Sequence, residues 1–288
     1  MTVKRPPAGR VSGATPLFAY FGHHKAASSW LGDITRQLST SAGLVYANVH
    51  SPRKFEGDLK AFVSRHRVDF LAYPNANLRY VSALDDFRAF HVVRDPRDIV
   101  VSSYFSHLHS HPTDDWPELV EHRQELQAVD KDHGLYVVID FLSDVMNDIG
   151  TWNYGDERIL ELKMEDVVRN PREVLLKAFG FLGLVSENQS FFKRGLVFSA
   201  ATLNRRTTRL PMRIVPLTPS VLNGTLRRND FTLKASGRGP GVENVNSHYR
   251  KGTPGDWVNH FGPGHKAYFK ERYGDLLIKL GYESDLDW

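Results

Sequence analysis

Cysteine is absent from this 288-residue chain. Disulfides, thiolate metal sites and a cysteine nucleophile are thereby excluded. Redox chemistry marks no compartment, and a cytoplasmic location is the simplest expectation. No apolar run approaches the roughly 18 residues of a membrane-crossing helix. Residues 1–13 include basic side chains but no apolar stretch behind them, so they do not read as a secretory signal. No internal repeat is visible. With 41% apolar and 24% charged residues, the composition is that of a globular protein with a sizeable core. We read residues 1–288 as one domain, with 1–14 as a flexible N-terminus.

Acidic residues are scarce in one region. Residues 203–251 hold ten Lys and Arg against two acids, Asp230 and Glu243, although the whole chain carries only +4. The same stretch is rich in Pro, Gly and Arg and has little periodicity. Long segments of that kind are usually functional or disordered. A solvated loop is the bland explanation; the charge concentration favours an anion-binding flap over residues 203–250. No nucleic-acid reading motif accompanies it, so nucleic acid is not an expected partner.

Short apolar runs alternate with helical patterns. The runs 16–21, 70–73, 90–93 and 158–162 read as strands. Leu135, Val138, Leu142, Val145 and Ile149 form one helical stripe, and Val174, Leu175, Ala178, Phe179 and Leu182 a second. Asn170, Pro171 and Glu173 predict an N-cap, a first helical position and a capping box for that second helix. A last helix carries Phe269, Tyr273, Leu276, Leu277 and Leu280 and ends at Gly281. Strands alternating with helices imply an α/β fold with a parallel sheet. Ligands of such sheets lie at the carboxyl ends of the strands.

One such end is the segment Gly22-His23-His24-Lys25-Ala26-Ala27-Ser28-Ser29-Trp30, where a strand gives way to a helix. A Lys, two hydroxyls and the free N–H groups of a helix start make a site for phosphate or sulfate. The nucleotide P-loop pattern Gly-x-x-x-x-Gly-Lys-Ser/Thr is missing; here the Lys precedes the small residues. A second constellation runs from Val92 through Arg94-Asp95-Pro96-Arg97-Asp98 to Ser102. Asp95 and Pro96 start a helix, Arg94 offers a bidentate fork for phosphate, and Ser102 lies two helical turns on. A capped helix with a surface Arg is the equally simple alternative for these residues taken alone. A third is Arg250-Lys251-Gly252-Thr253-Pro254-Gly255-Asp256-Trp257.

Together, in this order, the three segments resemble the signature of sulfotransferases that use 3′-phosphoadenosine 5′-phosphosulfate (PAPS). Met164-Glu165-Asp166 with Asn170-Pro171 and Phe179–Gly183 matches a further stretch of that family, so the resemblance spans about residues 17–283. It implies a P-loop-NTPase-like sulfotransferase fold, a single domain with a mostly parallel central sheet flanked by helices. It implies PAPS as co-substrate, 3′-phosphoadenosine 5′-phosphate (PAP) as product, a small-molecule hydroxyl as acceptor, and no metal. By position, Lys25, Ala26, Ala27, Ser28 and Ser29 would hold the 5′-phosphosulfate. Trp30 and Phe198 would contact the adenine, with core packing as their ordinary alternative. Arg94, Ser102, Arg250, Lys251 and Gly252 would bind the 3′-phosphate. Lys25 would stabilise charge on the leaving oxygen. His107, His109 and His111 are the densest histidine group among the 13; they continue a helix, where i and i+2 face apart, and we expect no metal there.

The family's Lys-Thr-His segment after the second strand is replaced by Ala72-Tyr73-Pro74-Asn75-Ala76-Asn77. The general base must then come from elsewhere, and His24 and His107 are the candidates. Met164 stands where many relatives have Tyr. The dimer pattern Lys-x-x-x-Thr-Val-x-x-x-Glu does not follow Trp257, so the oligomeric state is open. Expected acceptor walls are residues 73–82, 104–116 and the flap, including Tyr73, Tyr80, Tyr104, Phe105 and Trp116, rings suited to an aromatic or apolar alcohol or a sugar. The competing readings are an ATP-dependent phosphotransferase of related fold and a nucleotide- or polyanion-binding module without chemistry.

Overall fold

The structure is a computed structural model that describes residues 16–114, 116–185 and 216–288. Phe198, the N-terminal segment and the first part of the flap lie outside these residues. In chain order the elements are β1 (Leu17–Gly22), α1 (Ser28–Ser41), β2 (Tyr46–Asn48), α2 (Leu59–His66), β3 (Phe70–Tyr73), α3 (Leu78–Val81), β4 (Phe87–Val93) and α4 (Pro96–Phe105). A π-helical turn, Ser106–Ser110, continues α4. Then come α5 (Glu118–Ala128), α6 (Lys131–Phe141), α7 (Ser143–Thr151), β5 (Ile159–Lys163), α8 (Met164–Arg169) and α9 (Pro171–Phe181). The last are α10 (Pro219–Arg228), α11 (Phe231–Lys234) and α12 (Pro263–Lys279).

The five strands form one all-parallel sheet in the order β2-β3-β1-β4-β5. This is the α/β fold with a parallel central sheet that the alternation of strands and helices predicts. The strand β2 escaped the sequence reading because it is three residues long and not fully buried. Side chains alternate across β1 as a pleated strand requires. Phe18 and Tyr20 face the core with Leu31, Ile34, Phe179 and Leu222 of α1, α9 and α10. Ala19 and Phe21 face the other core, with Leu59, Val81 and Trp152. Helices therefore cover both faces, which explains why β1 and β3 are apolar throughout and why β4 departs from that only at Arg88 and His91.

Three sequence expectations are corrected. The flap was read as lacking periodic structure, but its described part contains α10 and α11. Thr218 caps α10 by accepting from Val221 N, and Asp230 caps α11 by accepting from Thr232 N. Asn170 does precede α9, but no side-chain capping bond forms there; Pro171 at the first position already removes one free N–H. The histidine segment after Phe105 does not continue as α-helix but widens into the π-turn. Among the described residues, no helix is long and apolar enough to cross a membrane.

Candidate active site

Sheet register brings the first two constellations together. Gly22 at the end of β1 pairs with Val92 of β4, so the loop 23–27 and Arg94 emerge side by side. The chain leaves β1 toward β3 on one side and β4 lies on the other, the switch point where ligands of such sheets bind. In the loop, Lys25 and Ala27 adopt left-handed backbone angles, φ 61° and 58°. That costs of order 1 kcal/mol for each non-glycine residue. It also turns successive N–H groups toward one point, the geometry of an anion-binding nest. Of the loop amides, Ala26 N donates back to His23 O (3.2 Å), while those of Ala27 and Ser28 have no backbone acceptor among the described residues. The fourteen-residue helix α1 starts immediately afterwards, with no side-chain cap. Its first N–H groups are free for a ligand.

Arg94 is nearly buried and donates from Nη1 to Lys25 O (3.0 Å). Its Nη2 lies 3.6 Å from Asp98 Oδ2, and its Nε is buried without a partner. Asp98 was not singled out from sequence, yet it ties the third constellation to the second. Its two oxygens accept from Gly255 N (2.6 Å) and Trp257 N (2.9 Å). The Arg250 guanidinium lies over Phe105, 4.5 Å from the ring centre. It pairs with Glu243 and, at 2.6 Å, with Asp256; Lys251 also pairs with Asp256. Burial pushes the Lys25 ammonium down to about 7, with the Arg94 and Arg250 charges next in importance. Three cations thus converge where, among the described residues, no carboxylate pairs with Lys25 itself, a field that calls for an anion.

The two base candidates meet. His24 Nε2 and His107 Nε2 are 3.1 Å apart, so one carries the hydrogen and the other accepts it. Burial is the main cause that holds both well below the usual histidine range; Lys25 lowers both further, and His24 itself lowers His107. The pair is therefore neutral in the ligand-free protein. Arg123 fixes the π-turn that carries His107: Nε donates to His107 O (2.5 Å) and Nη2 to His111 O (2.6 Å). The Trp116 ring packs edge-on against His24, His107 and His111, with centroids 5.3–5.5 Å away. Neither Arg123 nor the π-turn carries a local sequence signal, because each is defined by contacts between separate elements.

The remaining sequence candidates are dispersed around this centre. Ser102 is half-buried on α4. Gly252 has φ +72°, and a Cβ there would come within 2.4 Å of Phe231; glycine is required. Ser29 is exposed and hydrogen-bonded through Oγ to His248 Nε2 (2.9 Å). Trp30 donates from Nε1 to Asn229 O (2.7 Å) and packs against the α1/α9/α10 core. Of the expected acceptor walls, Tyr104 is buried among Leu126, Leu135 and Val138 and is core. Glu243, Asp256 and His260 are the one trio among the described residues whose ligand atoms converge closely enough for a metal. Arg250 and Lys251 already occupy that point as counter-charges, and two cations there repel a third.

Residues 59–196 match the family model of the sulfotransferase domain. A search of curated proteins finds no significant match. Among solved structures, mouse sulfotransferase SULT7A1 complexed with PAP is similar, at 16% identity and TM-score 0.55 over 92% of this chain and 86% of that one. Retinol dehydratase in complex with androsterone and PAP aligns at 13% identity and TM-score 0.48 over 91% and 82%. The domain match spans β3, β4, Arg94 and β5, just under half of the chain, and the chain shares the fold of the SULT7A1 structure; over these residues it is similar to the sulfotransferase domain.

Proposed function

We propose that the protein moves a sulfuryl group from PAPS to the hydroxyl of a small-molecule acceptor. The observation that carries this reading is the convergence of Lys25, Arg94 and Arg250 at the start of α1, with the paired histidines His24 and His107 beside them. The donor carries two separated anionic groups. The loop Lys25–Ser29 suits the 5′-phosphosulfate through its N–H groups, its hydroxyls and the Lys25 ammonium. Arg94, with Ser102, Arg250, Lys251 and the Gly252 backbone, suits the 3′-phosphate. Trp30 and Phe198 remain candidates for the adenine. A PAP-bound relative of the same fold supports the choice of nucleotide.

In this scheme the acceptor O–H proton passes to the His24–His107 pair while the acceptor oxygen attacks sulfur. The S–O bond to the phosphate breaks, and its electron pair stays on the phosphate oxygen. Lys25 stabilises the charge that grows there, a contribution worth about 10²–10³ in turnover for one well-placed donor. No metal enters the scheme. The test is a thermal-shift titration followed by turnover. PAP should stabilise the protein by mass action, and PAPS should be consumed with a panel of alcohols, phenols and sugars, read by mass spectrometry. Preference for ATP with Mg²⁺ over PAP would overturn the assignment in favour of a phosphotransferase.

A further inference from the structure

We propose that His24, His107 and His122 form a proton relay that carries the acceptor's hydroxyl proton from the reaction site to a surface groove between α5 and α6. The inference rests on the sulfotransferase reading, since that reaction releases one proton per turnover. His122, on α5, has no place in the cofactor site. It is 3% exposed, and its Nε2 is buried without a partner. The adjacent His107 is fully buried and also has one ring nitrogen, Nδ1, without a partner. The two rings stand edge to face with centroids 5.3 Å apart. A buried unpaired polar atom costs about 1–3 kcal/mol, so two of them on neighbouring histidines call for an explanation. The relay requires a ring reorientation or one bridging water to link these two nitrogens.

The surroundings suit transfer rather than storage of a proton. His122 stacks on Phe141 at 3.7 Å, and Phe141 also meets the edge of His107. The charged and titratable groups beside the inner pair, His24 and His107, are Lys25, His111 and Arg123, none of them a carboxylate that would hold an imidazolium there; Glu125, His133 and Asp140 stand only at the outer end, beside His122. Burial depresses His107 strongly and His122 less, to about 4, so the preference for the proton rises outward. His122 lines a groove of about 520 Å³ together with Glu125, His133, Tyr136 and Asp140, where carboxylates and solvent receive it.

The step balances as follows. The acceptor O–H bond breaks and its proton goes to His24 Nδ1. The hydrogen on His24 Nε2 passes to His107 Nε2. The hydrogen on His107 Nδ1 passes to His122 Nε2, and His122 releases a proton into the groove. The acceptor oxygen keeps its electron pair for the new O–S bond.

The experiment compares His122→Phe with wild type on two probes, 2-naphthol and 4-nitrophenol, with PAPS in mildly alkaline buffer. The first probe stays protonated and needs a base; the second is largely ionised and does not. Phenylalanine keeps the stack on Phe141. The relay predicts that H122F lowers kcat for 2-naphthol about tenfold or more, leaves kcat for 4-nitrophenol within about twofold of wild type, leaves the PAP-induced thermal shift intact, and recovers 2-naphthol turnover with added imidazole. Equal losses on both probes, or no loss on either, would overturn the relay while leaving sulfuryl transfer standing. If H122F does not fold, His122→Gln read on the same two probes decides by the same ratio. A wild-type protein that binds PAP but transfers sulfuryl to neither probe nor to any alcohol, phenol or sugar of the panel overturns the proposed function, and the relay with it.

Discussion

Lys25 is the residue on which charge and burial meet. Its ammonium sits at about 7 in the ligand-free protein, through burial first and Arg94 and Arg250 next. A bound phosphate brings opposite charge and raises that value again. PAP binding near and above neutrality is therefore coupled to proton uptake, and affinity falls as pH rises past about 7, because an increasing fraction of Lys25 must first be protonated. Calorimetry in two buffers of different ionisation enthalpy reads the uptake directly. Lys25→Ala should abolish the Lys25 share of the uptake and lower turnover about 10²–10³-fold; uptake unchanged in the variant would assign the proton elsewhere. The position of Lys25 between a strand end and a helix start was legible in the sequence, because a strand, a short loop and a helix start can be read from spacing alone. Its depressed pKa was not, since that depends on Arg250, far away in the chain. The pairing of His24 with His107 was likewise invisible: each stood as a separate candidate, and only the π-turn brings the two nitrogens into contact.

Among elements, α4 organises the site. Its start was readable from Asp95-Pro96, and the Asp95 carboxylate does accept from Arg97 N (2.9 Å). What spacing could not show is that Asp98, one turn in, holds the segment Gly255–Trp257 across the chain through two backbone N–H groups. Asp98→Asn puts an NH₂ group against one of those donors and removes the charge facing Arg94. We expect a loss of about 1–3 kcal/mol of stability from the unsatisfied N–H, measured by urea unfolding, together with weaker PAP binding because Arg250 and Lys251 are carried by the same strap. Unchanged stability and affinity would show that the strap is held by other contacts.

For the whole molecule, one parallel sheet and two covering layers place the three candidate anion-binding segments at one end, and the sheet itself followed from the alternation of apolar runs with helical stripes. The closure of the chain on itself did not. Arg97 lies over the rings of both Trp257 (3.9 Å) and Trp288 (4.6 Å) and pairs with Asp95 and Glu283. A buried guanidinium thus fastens the C-terminal segment to the strap and to α4. Arg97→Ala leaves two partly or wholly buried carboxylates without their counter-charge and should cost about 3–5 kcal/mol, seen as a lowered denaturation midpoint. A loss under about 1 kcal/mol would mean that the carboxylates regain water and the fastening is marginal.

The central claim is that the loop at Lys25 and the patch at Arg94 hold the two ends of one nucleotide, and a crystal structure with PAP tests it most directly. The account predicts the 5′-phosphate on the backbone N–H groups and ammonium of Lys25–Ser29, and the 3′-phosphate within hydrogen-bond reach of Arg94, Ser102 and Arg250. PAP bound with either phosphate away from these groups would contradict it.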